Sequence, residues 1–405
     1  MSLLNKWLTL ARLIVLLAVA GLLWRLALLE RADWRYDYDE AMAGLQALHI
    51  TQGERPVFHP GQPYLAALES YLIAPLFTVL GANAVTLKLV PWLLSGGYIL
   101  TTGWLGWRAF GPQVGLISAL LAAFAPTYLL VTGMKTWGAT AETLVLGNLL
   151  LISAGYALDP VHENTIRLRA VLALGFVGGV AFWVSWLVAF YALPVLIVMS
   201  WRGRMVLRRW WWALVGLFAL GSLPFWVYNL GHDFATFRYL FSDQGNTWGN
   251  ARAVIDHLNY DLSPRLVSGD PDWRLLSWPA TWWLQIMYEG GLITLVVAGW
   301  RTITSDNPNS ARLLVALFVL LLPIIYVASG YGNHALNEFG FDATGRYVLM
   351  IHSVLPVGVG VLCRVIAQQR LRTIPLRGLA AGVLTSVIGL NMLGTFSADP
   401  QQVFV

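Results

Sequence analysis

The sequence predicts an all-α, polytopic membrane protein, and three observations predict it. Of 405 residues, 57% are hydrophobic and only 12% charged, where soluble domains carry about a quarter charged residues. Apolar runs long enough to cross about 30 Å of hydrocarbon recur along the chain. The short loops between them carry basic residues on alternate connections, as cytoplasmic loops do. Backbone polar groups in lipid must be satisfied within the segment, so the spans are expected to be helices.

Taken in order, the apolar runs fall at roughly 8–29, 84–106, 113–132, 138–157, 210–230, 279–300, 311–329, 345–364 and 377–397. The run 169–201 is too long for one crossing. Gly178-Gly179 and the stretch Trp183-Val184-Ser185-Trp186 predict two short helices meeting at the outer surface. The total is about eleven spans in one transmembrane domain, 1–405. Ala18-Val19-Ala20 resembles a signal-peptidase site, but the apolar run continues to Leu29, so the segment reads as a retained span. Arg25, near its outer end, is expected to snorkel to the headgroups.

Lys6, Arg108, Arg167 with Arg169, the group Arg202 to Arg209, Arg301, and the group Arg364 to Arg377 place the N-terminus and alternate loops in the cytoplasm. Loops 30–83, 133–137, 231–278 and 330–344 then face outward. Arg31, Arg35, Arg55, Arg238, Arg252, Arg265 and Arg274 are exceptions, but they lie in the long outer loops, which weigh less in the rule. The net charge of +5 is explained by topology and calls for no nucleic acid. Cys363 is the single cysteine, which excludes an intrachain disulfide.

Two outer loops carry most of the information. Loop 30–83 opens with Asp37-Tyr38-Asp39-Glu40, carboxylates set beside the headgroups. Ala41, Leu45, Leu48 and Ile50 then follow at near-helical spacing, which predicts a short interfacial helix ended by Gly53. A second helix is expected from about Pro63 to Leu80, lying on or partly in the membrane, with Glu69 and Pro75 in it. A crossing there would invert every later loop. Loop 231–278 is rich in aromatics (Phe234, Phe237, Tyr239, Phe241, Trp248, Tyr260, Trp273) and is expected to be ordered or a lid. The chain ends soon after the last span, at Ser397 to Val405, so no outer soluble domain is expected within it.

The segments Tyr36-Asp37-Tyr38-Asp39-Glu40-Ala41 and Pro56-Val57-Phe58-His59-Pro60-Gly61-Gln62-Pro63-Tyr64 resemble the first outer loop of the GT-C glycosyltransferases. The resemblance is to the protein O-mannosyltransferase and aminoarabinose-transferase group, and especially to its bacterial lipopolysaccharide-sugar-transferase-like branch. Gly138-Ala139-Thr140-Ala141-Glu142-Thr143, Pro224-Phe225-Trp226-Val227-Tyr228-Asn229 and Gly345-Arg346-Tyr347-Val348-Leu349 extend it over nearly the whole chain. It implies transfer of a sugar from a polyprenyl phosphate to an acceptor hydroxyl at the outer face of the plasma (inner) membrane. The acceptor class, whether lipid, glycan or protein, stays open.

The resemblance puts the catalytic base at Asp39, with Glu40 beside it. A hydroxyl is a poor nucleophile, and a carboxylate within reach takes its proton as it attacks. Partial burial among Trp34, Tyr36 and Tyr38 would make that carboxylate a better base. The plainer reading of the cluster is an anionic cap on the next helix. Lys135 and Arg346 are candidates to meet the charge on a departing phosphate; otherwise they neutralise headgroups. Glu142 opens a span where charge is costly. It would orient Lys135, bind a sugar hydroxyl, or be a solvated helix start. Relatives often carry a basic residue where Gln62 stands, so the cation is missing at that point and His59 is its partial substitute; Gln62, His59 and Tyr38 are further substrate-binding candidates. Trp137, Trp183 and Trp186 are expected near the outer surface, where indoles stack on sugars, while most of the 20 Trp belong to interfacial belts or packing.

Asp37 and Asp39 have D-x-D spacing, which elsewhere holds a divalent metal on a nucleotide sugar. Two carboxylates alone do not make a metal site, and a lipid-phosphate donor needs no such clamp, so no cofactor is required, a divalent metal being the lesser alternative. Two other function classes fit the composition. A transporter or flippase of lipid-linked sugars should show internal repeats and broken helices near the midplane, and no repeat is visible. A noncatalytic sugar-lipid-binding protein would keep the shape without needing Asp39 as a base.

Overall fold

The computed structural model describes residues 3–242, 251–269, 276–303, 309–329, 342–371 and 374–399. Helix α1, Leu3–Arg31, ends where Asp33 and Trp34 adopt left-handed φ angles of 51° and 53°. That bend delivers Asp37 to the start of α2, Tyr38–Thr51. Asp37 is its N-cap. The Asp37 carboxylate accepts from the Glu40 N–H, and the Glu40 carboxylate accepts from the Asp37 N–H. This reciprocal box satisfies two helix-end donors.

A helix therefore forms where the spacing predicts one, and Gly53 follows its end with a φ of 107°. The next segment differs from expectation. Gln62–Ala66 pairs antiparallel with Phe58–His59 around Gly61, whose φ is 72°, and helix α3 starts only at Leu68 and runs to Leu80. Pro60 and Pro63 favour extended neighbours, so the chain turns as a hairpin first. Gln46 ties it down, donating to the Phe58 carbonyl at 2.9 Å and accepting from the Ser70 hydroxyl at 2.9 Å. Ala47, Ile73, Ala74, Phe77, Leu87 and Val90 form one apolar cluster. It packs α2 and α3 against helix α4, Ala84–Phe110.

Helices occupy every apolar run. The long run divides at Ser185, within the Trp183-Val184-Ser185-Trp186 signal, into Asn164–Val184, a short turn of 3₁₀ helix at Trp186–Val188, and Ala189–Arg202; Gly178-Gly179 makes no break and stays inside the first helix. Among the described residues six helices are long and apolar enough to cross a membrane, and up to eight if each bent pair counts as one. The expected eleven include three that do not meet that measure. Pro112–Ala123 and Trp186–Arg202 are short, and Trp278–Ile303 carries Gln285 and Glu289.

Arg25 does not snorkel. It is 1% exposed and donates to the carbonyls of Ala123 at 2.7 Å and Ala122 at 3.0 Å. These belong to the last turn of Pro112–Ala123, where helix carbonyls lack partners of their own. The opposite ends of the bundle differ in charge. At the C-terminal end of α4, Arg108 pairs with Asp159 at 2.6 Å, and Arg312 and Arg364 donate to the Ala109 and Phe110 carbonyls. Lys88 lies twenty residues earlier on α4, about 30 Å away at 1.5 Å per residue, beside the acid Glu40 of α2.

Candidate active site

Three acids converge on one segment, 135–138. The box at the start of α2 turns Asp37 and Glu40 inward, because residues three apart share a helix face. Asp37 accepts from Lys135 Nζ at 3.1 Å and from Trp137 Nε1 at 2.7 Å. Glu40 Oε1 lies 2.5 Å from Lys88 Nζ and accepts from the Thr136 N–H at 2.9 Å. Glu69, from α3, accepts from the Gly138 N–H at 3.0 Å. The segment then bends through two left-handed residues, Gly138 at φ 66° and Ala139 at φ 59°, into helix Ala141–Leu158.

The electrostatics follow from this packing. Burial pushes the Asp37 carboxyl up, but the charge of Lys135 and the N–H donors of Glu40 and Trp137 outweigh it and hold the group below the usual carboxylate range. At Glu40 burial wins over Lys88 and the carboxyl is held high. Glu69 is raised further by burial and then by Glu142.

Asp39 is the acid left open. Its position between Asp37 and Glu40 points it away from the box. Its side chain is 55% exposed and its Oδ2 lies 4.0 Å from Arg346 Nη1. The burial expected for the base falls on its two neighbours instead. Asp39 and Arg346 line a cavity of about 380 Å³ together with Tyr38, His59, Gln62 and Trp137. The Arg346 guanidinium sits over the Trp137 ring at 5.2 Å. Burial lowers the His59 imidazole to about 4, so it is neutral at ordinary pH, and its Nε2 has no hydrogen-bond partner among the described residues. Across the hairpin a second cavity of about 660 Å³ shares His59, Pro60 and Gln62 as its wall and is bounded by Tyr228, Arg238 and Tyr239.

The structure thus brings Tyr38, Asp39, His59, Gln62 and Arg346 to one cavity. It does not bring Glu40, Lys135 or Glu142 there. Glu40 is fully buried, and its pairing with Lys88 offsets the cost of that burial. Lys135 is 5% exposed and held by Asp37, not by Glu142, which is 3% exposed and faces Glu69 electrostatically. Among the indoles expected at the surface, Trp137 lines the cavity, while Trp183 donates to the Val57 carbonyl at 3.3 Å.

Reasoning from sequence missed Lys88 and gave Glu69 no role. Each is a lone charge inside an apolar run, the signal that marks such residues for attention. The described parts of loop 231–278 hold helices at Ala235–Ser242, Ala251–His257 and Ser263–Ser268, the last two joined by a π-helical turn at Leu258–Leu262. Tyr239 stacks on Tyr64 at 5.0 Å, which joins this loop to the hairpin. Trp248 and Trp273, and loop 330–344 up to residue 341, lie outside the described residues.

The D-x-D spacing does not make a bidentate face. Asp37 spends both oxygens on Lys135, Trp137 and the Glu40 N–H, while Asp39 points the other way. Among the described residues no three His, Cys, Asp or Glu side chains gather as a metal site.

No protein-family model and no curated protein matches the chain by sequence. Solved structures do match by fold. ArnT from Cupriavidus metallidurans, bound to undecaprenyl phosphate, superposes with a TM-score of 0.61 and 13% identity, covering 99% of this chain and 77% of that one. The oligosaccharyltransferase AglB from Archaeoglobus fulgidus, in complex with an inhibitory peptide and a dolichol-phosphate, gives a TM-score of 0.54 and 11% identity, covering 100% of this chain and 56% of that one. With its apolar helices and this likeness, the chain is a multi-pass membrane protein that has the GT-C glycosyltransferase fold.

Proposed function

We propose that the protein is a glycosyltransferase that moves a sugar from a polyprenyl-phosphate donor to an acceptor hydroxyl at the outer face of the plasma membrane. The observation that carries this reading is the open carboxylate of Asp39 facing Arg346 at 4.0 Å across a cavity. The fold adds support, because ArnT is bound to undecaprenyl phosphate and AglB to a dolichol-phosphate.

In this reading the acceptor oxygen attacks the anomeric carbon while Asp39 takes the hydroxyl proton. The bond from the anomeric carbon to the phosphate oxygen breaks, and its electron pair leaves with the phosphate. Arg346 meets that charge, and its planar fork suits two phosphate oxygens. Tyr38, His59 and Gln62 stand where sugar hydroxyls would be. Lys135 and Glu40 act behind the wall, Lys135 by fixing Asp37 and Glu40 by fixing the segment under Trp137. Glu142 lies buried at the start of helix Ala141–Leu158, outside the lining of the cavity, and takes no part in the transfer. The chemistry needs no metal, since the donor carries a single phosphate and Asp37 is already engaged. The outward orientation rests on the alternating basic loops.

The test is transfer by the purified protein, using a panel of radiolabelled polyprenyl-phosphate sugars and membrane extract as acceptor. Label appearing on acceptor with release of free polyprenyl phosphate is the expected result. Movement of intact donor across vesicles without bond cleavage would make the protein a flippase, and retention without either would make it a binder.

A further inference from the structure

We propose that Glu69 and Glu40 are positioning residues, two buried acids that grip the backbone of segment 136–138 and so set Trp137, and Arg346 above it, at the right distance from Asp39. Glu40 is 0% exposed and Glu69 1%. Each takes one backbone N–H of the segment, at Thr136 and Gly138, and Asp37 takes the indole N–H between them. Three acids from the α2 and α3 region thus fix three consecutive residues.

The segment needs such a grip. Ala139 has a φ of 59° directly after Gly138 at 66°, a conformation that costs an alanine energy and persists only where its surroundings enforce it. Gly138 and Ala139 line the cavity with Trp137, so slack in this backbone would be felt by Arg346 through the ring it covers. The two acids hold on differently. Glu69 contributes one accepting oxygen, and its other oxygen has no partner among the described residues, so an amide can do the same work. Glu40 also faces the buried ammonium of Lys88, and an amide leaves that charge without its counterpart.

The proposal predicts a pattern that a merely structural role would not produce. The full chain is placed in nanodiscs, and two quantities are read. One is hydrogen exchange in the peptide covering 134–140; the other is affinity for undecaprenyl phosphate. Glu69→Leu should speed exchange in that peptide by about tenfold or more, as expected for a buried donor left without its acceptor, and weaken the lipid to a similar degree. Glu69→Gln should restore both. Glu40→Gln should behave like Glu69→Leu. Should Glu69→Leu not fold, Trp137→Phe replaces it. That variant keeps an aromatic ring under Arg346, though a smaller one, and drops the indole N–H to Asp37, and it should weaken the lipid without general loosening.

Wild-type exchange in Glu69→Leu, or damage in Glu69→Gln equal to that in Glu69→Leu, would overturn the proposal. So would wild-type lipid affinity in a folded Trp137→Phe protein. The lipid arm rests on the donor assigned above. If the wild-type protein does not bind undecaprenyl phosphate, that assignment fails, and the exchange pattern alone decides the clamp.

Discussion

Arg346 and Asp39 face each other with Nη1 and Oδ2 4.0 Å apart, the outer limit of an ion pair and too long for a hydrogen bond. Arg346 Nε is buried with no partner among the described residues. The guanidinium is therefore oriented, by the Trp137 ring at 5.2 Å, without being consumed. A phosphate entering the cavity would find donors still unspent. Arg346→Ala should weaken undecaprenyl phosphate binding by about tenfold or more, as loss of a bidentate charged contact does. Lys should recover only part of it, because the fork is gone. Unchanged affinity in the alanine variant removes Arg346 from the donor site.

His59 makes stability depend on pH. Burial lowers its folded value to about 4 from 6.5, so the unfolded chain takes up a proton before the folded one does. Its contribution is fully present above pH 6.5 and is lost as pH falls through the window down to about 4. Thermal unfolding in detergent should show the midpoint dropping across that window. His59→Gln should flatten this part of the profile, and an unaltered slope would show that other groups carry it.

The helices and the break in the long run were legible because apolar length and the Trp183-Val184-Ser185-Trp186 signal are local, whereas Gly178-Gly179 stays inside a helix. Helix α2 was legible for the same reason. The division of labour among Asp37, Asp39 and Glu40 was partly legible: Asp37 and Glu40 stand three apart, the spacing of a capping box, which leaves Asp39 free. The partners of Glu40 were not. Lys88 lies 48 residues away and Thr136 lies 96 away, and nothing in either local stretch specifies the pairing. Lys135 was read as a phosphate ligand because its position in a short outer loop is local information. Its capture by Asp37, 98 residues away, is tertiary. Hairpin Phe58–Ala66 was hidden because short strands have too few residues to show alternation.

Topology can be read in intact cells once Cys363 is replaced by Ala. Gln52 is exposed just past α2, and Arg208 is exposed near the basic end. Gln52→Cys should react with a membrane-impermeant thiol reagent, and Arg208→Cys should react only after permeabilisation. The reverse pattern would put the Asp39 cavity on the cytoplasmic side and remove the proposed outer-face reaction.

Asp39→Asn is the most exposed prediction. The side chain is open and outside the capping box, so the amide should leave folding and donor binding intact while losing the ability to take a proton. General-base catalysis is worth about 10²–10⁴ in rate, and turnover should fall by that order. Asp37→Asn should act differently, because Asp37 holds Lys135 and Trp137. It should loosen segment 135–138 and weaken lipid binding along with turnover. Its folded carboxyl is held low, so its stabilising charge is present above the ordinary value of 3.8 and is lost as pH falls further. Chelators should leave the wild-type reaction unchanged; inhibition reversed by added divalent cation would instead make Asp39 a ligand and bring Asp37 with it. Near-normal turnover by a folded Asp39→Asn protein would sink the assignment. Glu40 is sealed behind Lys88 and Glu142 lies buried, so the base would then have to come from the substrate or from His59, whose neutral imidazole lines the same cavity.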